Sequence, residues 1–157
     1  MCGIVGYIGS LNATDVILKG LSCLEYRGYD SAGLSLLKNN KINTIKRQGR
    51  ISNLKDAISQ NPISANLGIG HVRWATHGVP NEINAHPHNS MDGTISLVHN
   101  GIIENYLEIK KDLQEKGFSF KSQTDTEVVP MLIQNFYDGN LLEAVNKSLE
   151  VIRGAYA

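Results

Sequence analysis

The stretch Gly33-Leu34-Ser35-Leu36-Leu37-Lys38-Asn39-Asn40-Lys41-Ile42-Asn43-Thr44-Ile45-Lys46-Arg47 decides the fold class. Two apolar and β-branched runs, 33–37 and 41–47, flank Asn39-Asn40, a pair that tolerates the left-handed backbone of a two-residue hairpin turn. An antiparallel strand pair is therefore expected here. On its N-terminal side, Ile17, Leu21 and Leu24 repeat at helical spacing, with Thr14 or Asp15 as cap and an end near Arg27-Gly28. On its C-terminal side a short helix is expected from Ser52, carrying Leu54, Ala57 and Ile58, and then a strand over 67–72. Residues 73–93 form a long polar loop, and loops of that length usually carry function. Thr94 to His99 reads as the most apolar strand, running into Asn100-Gly101 as a tight turn. Helices follow over 106–116, from the capping-box pair Thr124 and Glu127 to about Tyr137, and from Asn140 to Ile152. Hairpins interleaved with helices predict an α+β chain with mainly antiparallel sheets and helices on their faces. Gly154-Ala155-Tyr156 reads as the entry to a further strand, so the chain is expected to be truncated at its C-terminus.

Composition narrows the function classes. The 157 residues fit one domain, and Lys plus Arg balance Asp plus Glu at 15 each. That balance leaves no electrostatic footprint for nucleic acid or an anionic membrane, which points to a small-molecule partner. The N-terminus has no basic run, and no window approaches the roughly 20 apolar residues of a membrane span. A cytoplasmic location is expected. Cys2 and Cys23 form neither a zinc spacing nor a disulfide framework, and Cys23, between Leu21 and Leu24, reads as core.

Cys2 directly follows the initiator methionine. Removal of Met1 would make it the first residue, with a free α-amino group of pKa about 7.7–8.0 beside a thiol of pKa about 8.5. Such an amine accepts the thiol proton during attack, directly or through one water, so the nucleophile carries its own base. Gly3 and Gly6 are read as letting backbone and substrate approach this terminus. The plainer alternative is an inert thiol in a buried strand over 2–8.

Attack on an amide needs further parts. Asn100 and Gly101 offer a side-chain NH₂ and an unshielded backbone N–H to an oxyanion, against the alternative of an ordinary Asn-Gly turn. Arg73 closes a strand, where its planar fork can hold a carboxylate; Asp125 opens a helix, where it can face an ammonium group or simply serve the helix terminus. Trp74, Thr76, His77 and Gly78 place an aromatic cover, two polar side chains and a hinge in one loop. His86 and His88 flank Pro87 without further ligands at supporting spacing, so no metal is expected. No phosphate-cradling loop is present, and no cofactor is expected.

The runs Cys2-Gly3-Ile4-Val5-Gly6, Leu24-Glu25-Tyr26-Arg27-Gly28-Tyr29-Asp30-Ser31-Ala32-Gly33-Leu34, Arg73-Trp74-Ala75-Thr76-His77-Gly78, Asn84-Ala85-His86-Pro87-His88, His99-Asn100-Gly101-Ile102-Ile103-Glu104-Asn105 and Thr124-Asp125-Thr126-Glu127 together carry a resemblance. The chain resembles the N-terminal glutaminase domain of the glucosamine-6-phosphate synthase family, among the class II, N-terminal-nucleophile glutamine amidotransferases. Members that aminate phosphoribosyl pyrophosphate carry Gln where this chain has Tyr29 and a Tyr-Pro-Thr-Ala-Gly loop at 74–78, which favours the sugar-phosphate branch.

The resemblance implies a four-layer αββα sandwich and a glutaminase domain over 2–157, incomplete and without the family's sugar isomerase domain. It implies hydrolysis of L-glutamine to glutamate and ammonia, with Cys2 as nucleophile, its amine as base, and Asn100 and Gly101 as the oxyanion site. Arg73 would bind the α-carboxylate and Asp125 the α-amino group. Thr76, His77 and Gly101 would line the pocket, and His86 would stand behind it. Trp74 would gate an ammonia path, and Arg27 would position the loops. Fructose 6-phosphate would enter only through the missing isomerase domain, and full-length members are expected to be homodimers. The rival expectations are a class II amidotransferase with another acceptor and an inactive fragment that retains the fold.

Overall fold

The computed structural model describes residues 2–74 and 78–157. Strands β1 (Gly3–Ile8), β2 (Ser31–Lys38), β3 (Lys41–Gln48) and β4 (Leu67–Arg73) form one sheet in the order β1-β4-β2-β3. All three pairings are antiparallel. The β2–β3 hairpin turns through Asn39 and Asn40 at φ 52° and 57°, the positive values a tight two-residue turn requires. The expectation from which the fold class was read holds.

Side chains alternate across this sheet. Ala32, Leu34 and Leu36 of β2 and Val72 of β4 point to one face, where they pack with Ile17 and Leu21 of helix α1 (Ala13–Leu24) and Leu54 and Ile58 of helix α2 (Ile51–Gln60). Gly68 and Gly70 of β4 lie on this same face. A Cβ at Gly70 would stand 2.4 Å from Ile17 Cγ2, and one at Gly68 2.9 Å from Ile17 Cδ1. Helix α1 therefore rests on bare strand backbone, an approach that side chains would block.

The opposite face of the sheet carries the second half of the chain. Strand β5 (His88–Asn89) pairs with β6 (Ser96–Leu97), and β7 (Gly101–Ile103) with β8 (Gly154–Tyr156), both antiparallel. Polar pairs tie the layers: Ser96 Oγ donates to Ser35 Oγ at 2.7 Å, and Asn89 Nδ2 to Thr44 Oγ1 at 2.9 Å. Beyond the short strands lie helices α3 (Tyr106–Glu115), α4 (Val128–Phe136) and α5 (Leu141–Val151). Their apolar stripes close a second core around Ile103, Ile109, Leu113, Val128, Leu132 and Ala144. The result is α+β with antiparallel sheets, in the order helices, sheet, short strands, helices. Among the described residues no helix is long and apolar enough to cross a membrane.

Several local expectations are corrected. The cap of α1 is Asn12, whose Oδ1 accepts from Thr14 N, not Thr14 or Asp15. Helix α2 starts at Ile51, one residue before Ser52, and Ile51 N donates to Glu25 Oε1. Cys23 is exposed, because it lies off the Ile17–Leu21 stripe of α1. Gly3 faces α1, where a Cβ would meet Leu24 Cδ1 at 2.8 Å, while Gly6 has open space on its side-chain face. Gly3 thus serves helix packing rather than substrate approach. The strand expected over 94–99 shrinks to Ser96–Leu97. Asn100-Gly101 is extended backbone rather than a turn: Asn100 and Ala157 exchange N–H···O bonds of 2.9 Å, and Gly101 opens β7. Glu127 closes no capping box with Thr124. Its carboxylate instead accepts from Lys121 N, Ser122 N and Ser122 Oγ, and so shapes the turn that precedes Asp125.

Candidate active site

Strand parity builds the site. Gly3 pairs with Val72 and Ile4 with His71, so Val72 serves the helix-packed core while Ile4, His71 and, two residues on, Arg73 share the other face. Cys2 precedes β1 in phase with Ile4. Its Sγ accepts from Trp74 N at 3.2 Å, and its thiol lies 3.5 Å from Trp74 O.

A cavity of about 190 Å³ opens at this edge. The sheet lines it with Cys2, His71, Arg73 and Trp74, and the second layer with His86, His99, Gly101, Thr124, Asp125 and Thr126. Residues nearly the whole chain apart thus meet around one thiol. A wider hollow of about 1070 Å³ runs along β3 and past Lys46, His88 and Glu127. It holds none of the groups around Cys2, so chemistry rather than size selects the smaller cavity.

Arg73 is buried, with Nη1 3.7 Å from Asp30 Oδ1 and Nη2 donating to Gly78 O at 3.2 Å. Asp30 itself is held by Ser31 Oγ at 2.7 Å, while its N–H donates to Arg73 O at 2.8 Å. Asp125, also buried, accepts Ile103 N on Oδ2 at 2.7 Å. The threonines on either side of it are tied to imidazoles, Thr124 Oγ1 to His88 Nε2 at 3.0 Å and Thr126 Oγ1 to His99 Nδ1 at 2.9 Å. Arg73 and Asp125 supply opposite charges on opposite sides of the cavity.

Asn100 does not itself line the cavity. Its Oδ1 meets His71 Nε2 at 2.8 Å behind the lining. Gly101 has φ 142°, and a Cβ there would stand 1.9 Å from Ala155 O, so only glycine fits where β7 meets β8. His86 lines the cavity rather than standing behind it: it is buried, its ring is 4.3 Å from that of His71, and its Nδ1 accepts His99 N at 3.3 Å. Trp74 is half exposed, its ring lying where a Cβ on Gly28 would be. Arg27 sits in a single 3-10 turn, Glu25–Arg27, just before Gly28, and is not part of the lining. Thr76 and His77 lie outside the described residues.

The sequence reading passed over His71, His99, Asp30 and the two threonines. His71 was signalled by parity alone, being two residues before Arg73 on the same strand face.

Four buried histidines cluster here: His71, His86, His88 and His99. Burial, only partly offset by the Asn100 bond, pushes His71 down to about 4. Burial first and neighbouring cations second hold His86 and His88 well below the ordinary imidazole value. His99 is lowered by burial against the pull of Asp125. Among the described residues no group of three or more His, Cys, Asp or Glu is placed to hold a metal ion.

These depressed values set a sign. Unfolded imidazoles take up protons below about 6.5 while the folded ones do not, so stability is fully present above 6.5 and is lost as pH falls toward 4. His71 alone should account for about 3 kcal/mol of that loss. Urea titrations at about pH 7.5 and about pH 5 should show the midpoint falling in acid; equal midpoints would contradict the buried neutral cluster.

Cys2, Arg73 and Asp125 thus line one small cavity, a thiol in the same hollow as a buried guanidinium and a buried carboxylate. A family model described as "Glutamine amidotransferase domain" matches residues 71–157, and the chain belongs to that family. It is 57% identical over all 157 residues to the glutamine–fructose-6-phosphate aminotransferase (isomerizing) of Clostridium acetobutylicum, and 55% identical to that of Thermus thermophilus. The chain spans 26% of the length of these relatives. Among solved structures it is similar to glutamine phosphoribosylpyrophosphate amidotransferase from B. subtilis, with a TM-score of 0.84 and 29% identity over 100% of this chain and 34% of that one.

Proposed function

We propose that the chain hydrolyses the side-chain amide of L-glutamine, with residues 2–157 as a glutaminase domain. The observation that carries this reading is the meeting of Cys2, Arg73 and Asp125 around one cavity. Once Met1 is removed, the α-amine of Cys2 takes the thiol proton as sulfur attacks the amide carbon. The oxyanion is met by the Asn100 NH₂ and the Gly101 N–H. The same amine returns the proton to the departing ammonia, and water then cleaves the thioester to glutamate. Arg73 holds the α-carboxylate and Asp125 the α-ammonium, so the scissile amide is presented to Sγ. His86 supports the wall and Trp74 covers the thiol, and Arg27, Thr76 and His77 are assigned to substrate binding.

The relatives' printed name, glutamine–fructose-6-phosphate aminotransferase (isomerizing), supports fructose 6-phosphate over another acceptor as the destination of the ammonia; a cytoplasmic, homodimeric whole protein belongs to the same proposal. The test is release of glutamate and ammonia from glutamine by the purified protein; a folded preparation that releases neither would support the inactive-fragment alternative. Asp125→Asn sharpens it. Asparagine can still accept Ile103 N, so the fold keeps its bond while the charge is lost. KM should rise about 10- to 100-fold with kcat changed far less. An unchanged KM would remove Asp125 from the substrate site.

A further inference from the structure

We infer that His71 is the positioning residue of the oxyanion site: its Nε2–H holds the Asn100 carbonyl oxygen, which turns the amide NH₂ of Asn100 toward the developing charge. The inference rests on the proposed hydrolysis and deepens it.

A carboxamide rotated by half a turn about its last bond exchanges oxygen for nitrogen with almost no change of shape. In one orientation Asn100 offers an oxyanion two N–H groups; in the other it offers lone pairs, which repel it. Something must choose between them. The only side-chain partner of the Asn100 amide among the described residues is His71 Nε2, at 2.8 Å from Oδ1. A neutral imidazole carries one N–H, and the 2.8 Å approach to Oδ1 assigns it to Nε2 in this proposal; the His99 backbone is the ring's other polar neighbour. Burial keeps the ring neutral near pH 7, so it retains one donor and one direction.

The ring is also hard to move. His71 is 1% exposed and sits mid-sheet, paired with Ile4 on β1 and Gly33 on β2. Its imidazole lies against that of His86 at an interplanar angle of 32°. His86 is in turn fixed by the His99 backbone, one residue before Asn100. Both ends of the His71–Asn100 bond thus belong to the same packed unit, which is what preorganisation of an oxyanion donor requires.

Two isosteres separate this role from mere packing. Glutamine places its amide nitrogen near the position of Nε2, whereas asparagine reaches only that of Nδ1. With rates counted per folded molecule by near-ultraviolet circular dichroism, His71→Asn should lower kcat about 10- to 100-fold with KM within about threefold, and His71→Gln should recover most of the loss. In an Asn100→Ala background, His71→Asn should cost less than about twofold more, because the donor it positions is gone. Equal losses from both isosteres, or an undiminished penalty in that background, would overturn the assignment while leaving the hydrolysis intact. Full activity of Asn100→Ala alone would bring down the oxyanion reading and this inference with it. A measurement on the unmodified protein needs no variant to fold: ¹⁵N imidazole shifts should show His71 protonated on Nε2, and a proton on Nδ1 would refute the proposal.

Discussion

Cys2→Ala should stop glutamate release altogether while glutamine still binds. The methyl group leaves no nucleophile, and loss of a covalent nucleophile costs on the order of 10⁴- to 10⁶-fold in kcat. Binding should persist because the groups proposed to hold the amino acid's charges, Arg73 and Asp125, are anchored elsewhere, to Asp30 and Gly78 O and to Ile103 N. Glutamine titrated calorimetrically into the variant should therefore give heats with a dissociation constant close to the parent KM. The same experiment carries a second requirement. The amine is a base only when free, so intact mass should show the active protein without Met1; hydrolysis by a preparation that retains Met1 would end the N-terminal mechanism.

Asn100→Ala should lower kcat about 100- to 1,000-fold, the usual cost of removing one oxyanion donor, with KM nearly unchanged. The ground-state amide oxygen carries little charge, so the donor acts mainly on the tetrahedral intermediate. The variant should stay folded, because the strand-like bonds between Asn100 and Ala157 are made by backbone and survive truncation of the side chain. It leaves His71 Nε2–H without its acceptor, a cost to stability of about 1–3 kcal/mol that should appear in the denaturation midpoint. A fall in kcat smaller than about tenfold would mean that the Gly101 N–H or some other donor does the work.

What the sequence made legible follows from where the information lies. The β2–β3 hairpin could be read because alternation and a two-residue Asn turn are local. Cys2 was singled out for following Met1 and Arg73 for closing a strand, both local features, and the two line one cavity. Of the short strands, β8 was anticipated at Gly154-Ala155-Tyr156 and β6 only as part of a longer run over 94–99, while β5 and β7 could not be read: two or three residues show no period, and each exists because a distant partner supplies its hydrogen bonds, as Gly154–Tyr156 does for Gly101–Ile103. That is why Asn100-Gly101 read as a turn. Glu127 has the spacing of a capping box, but its carboxylate goes to the 121–122 backbone, a choice set by tertiary context. His71 and Asp30 act by touching residues that were singled out, and such contacts become visible only when strand register is known. Thr126, adjacent to Asp125 in sequence, reveals its tie to His99 only in three dimensions.

Strand β4 is a wall with two tenants. On one side Ile17 of α1 rests against the bare backbone of Gly68 and Gly70; on the other, His71 and Arg73 face the thiol. With no side-chain cushion between helix and strand, a displacement of α1 passes through the sheet undiminished and reappears in the cavity. Proximity to Cys2 is thus a poor guide to which substitutions this domain tolerates. A methyl group added on the buried seam of the helix should alter the cavity even though it touches none of the residues that line it.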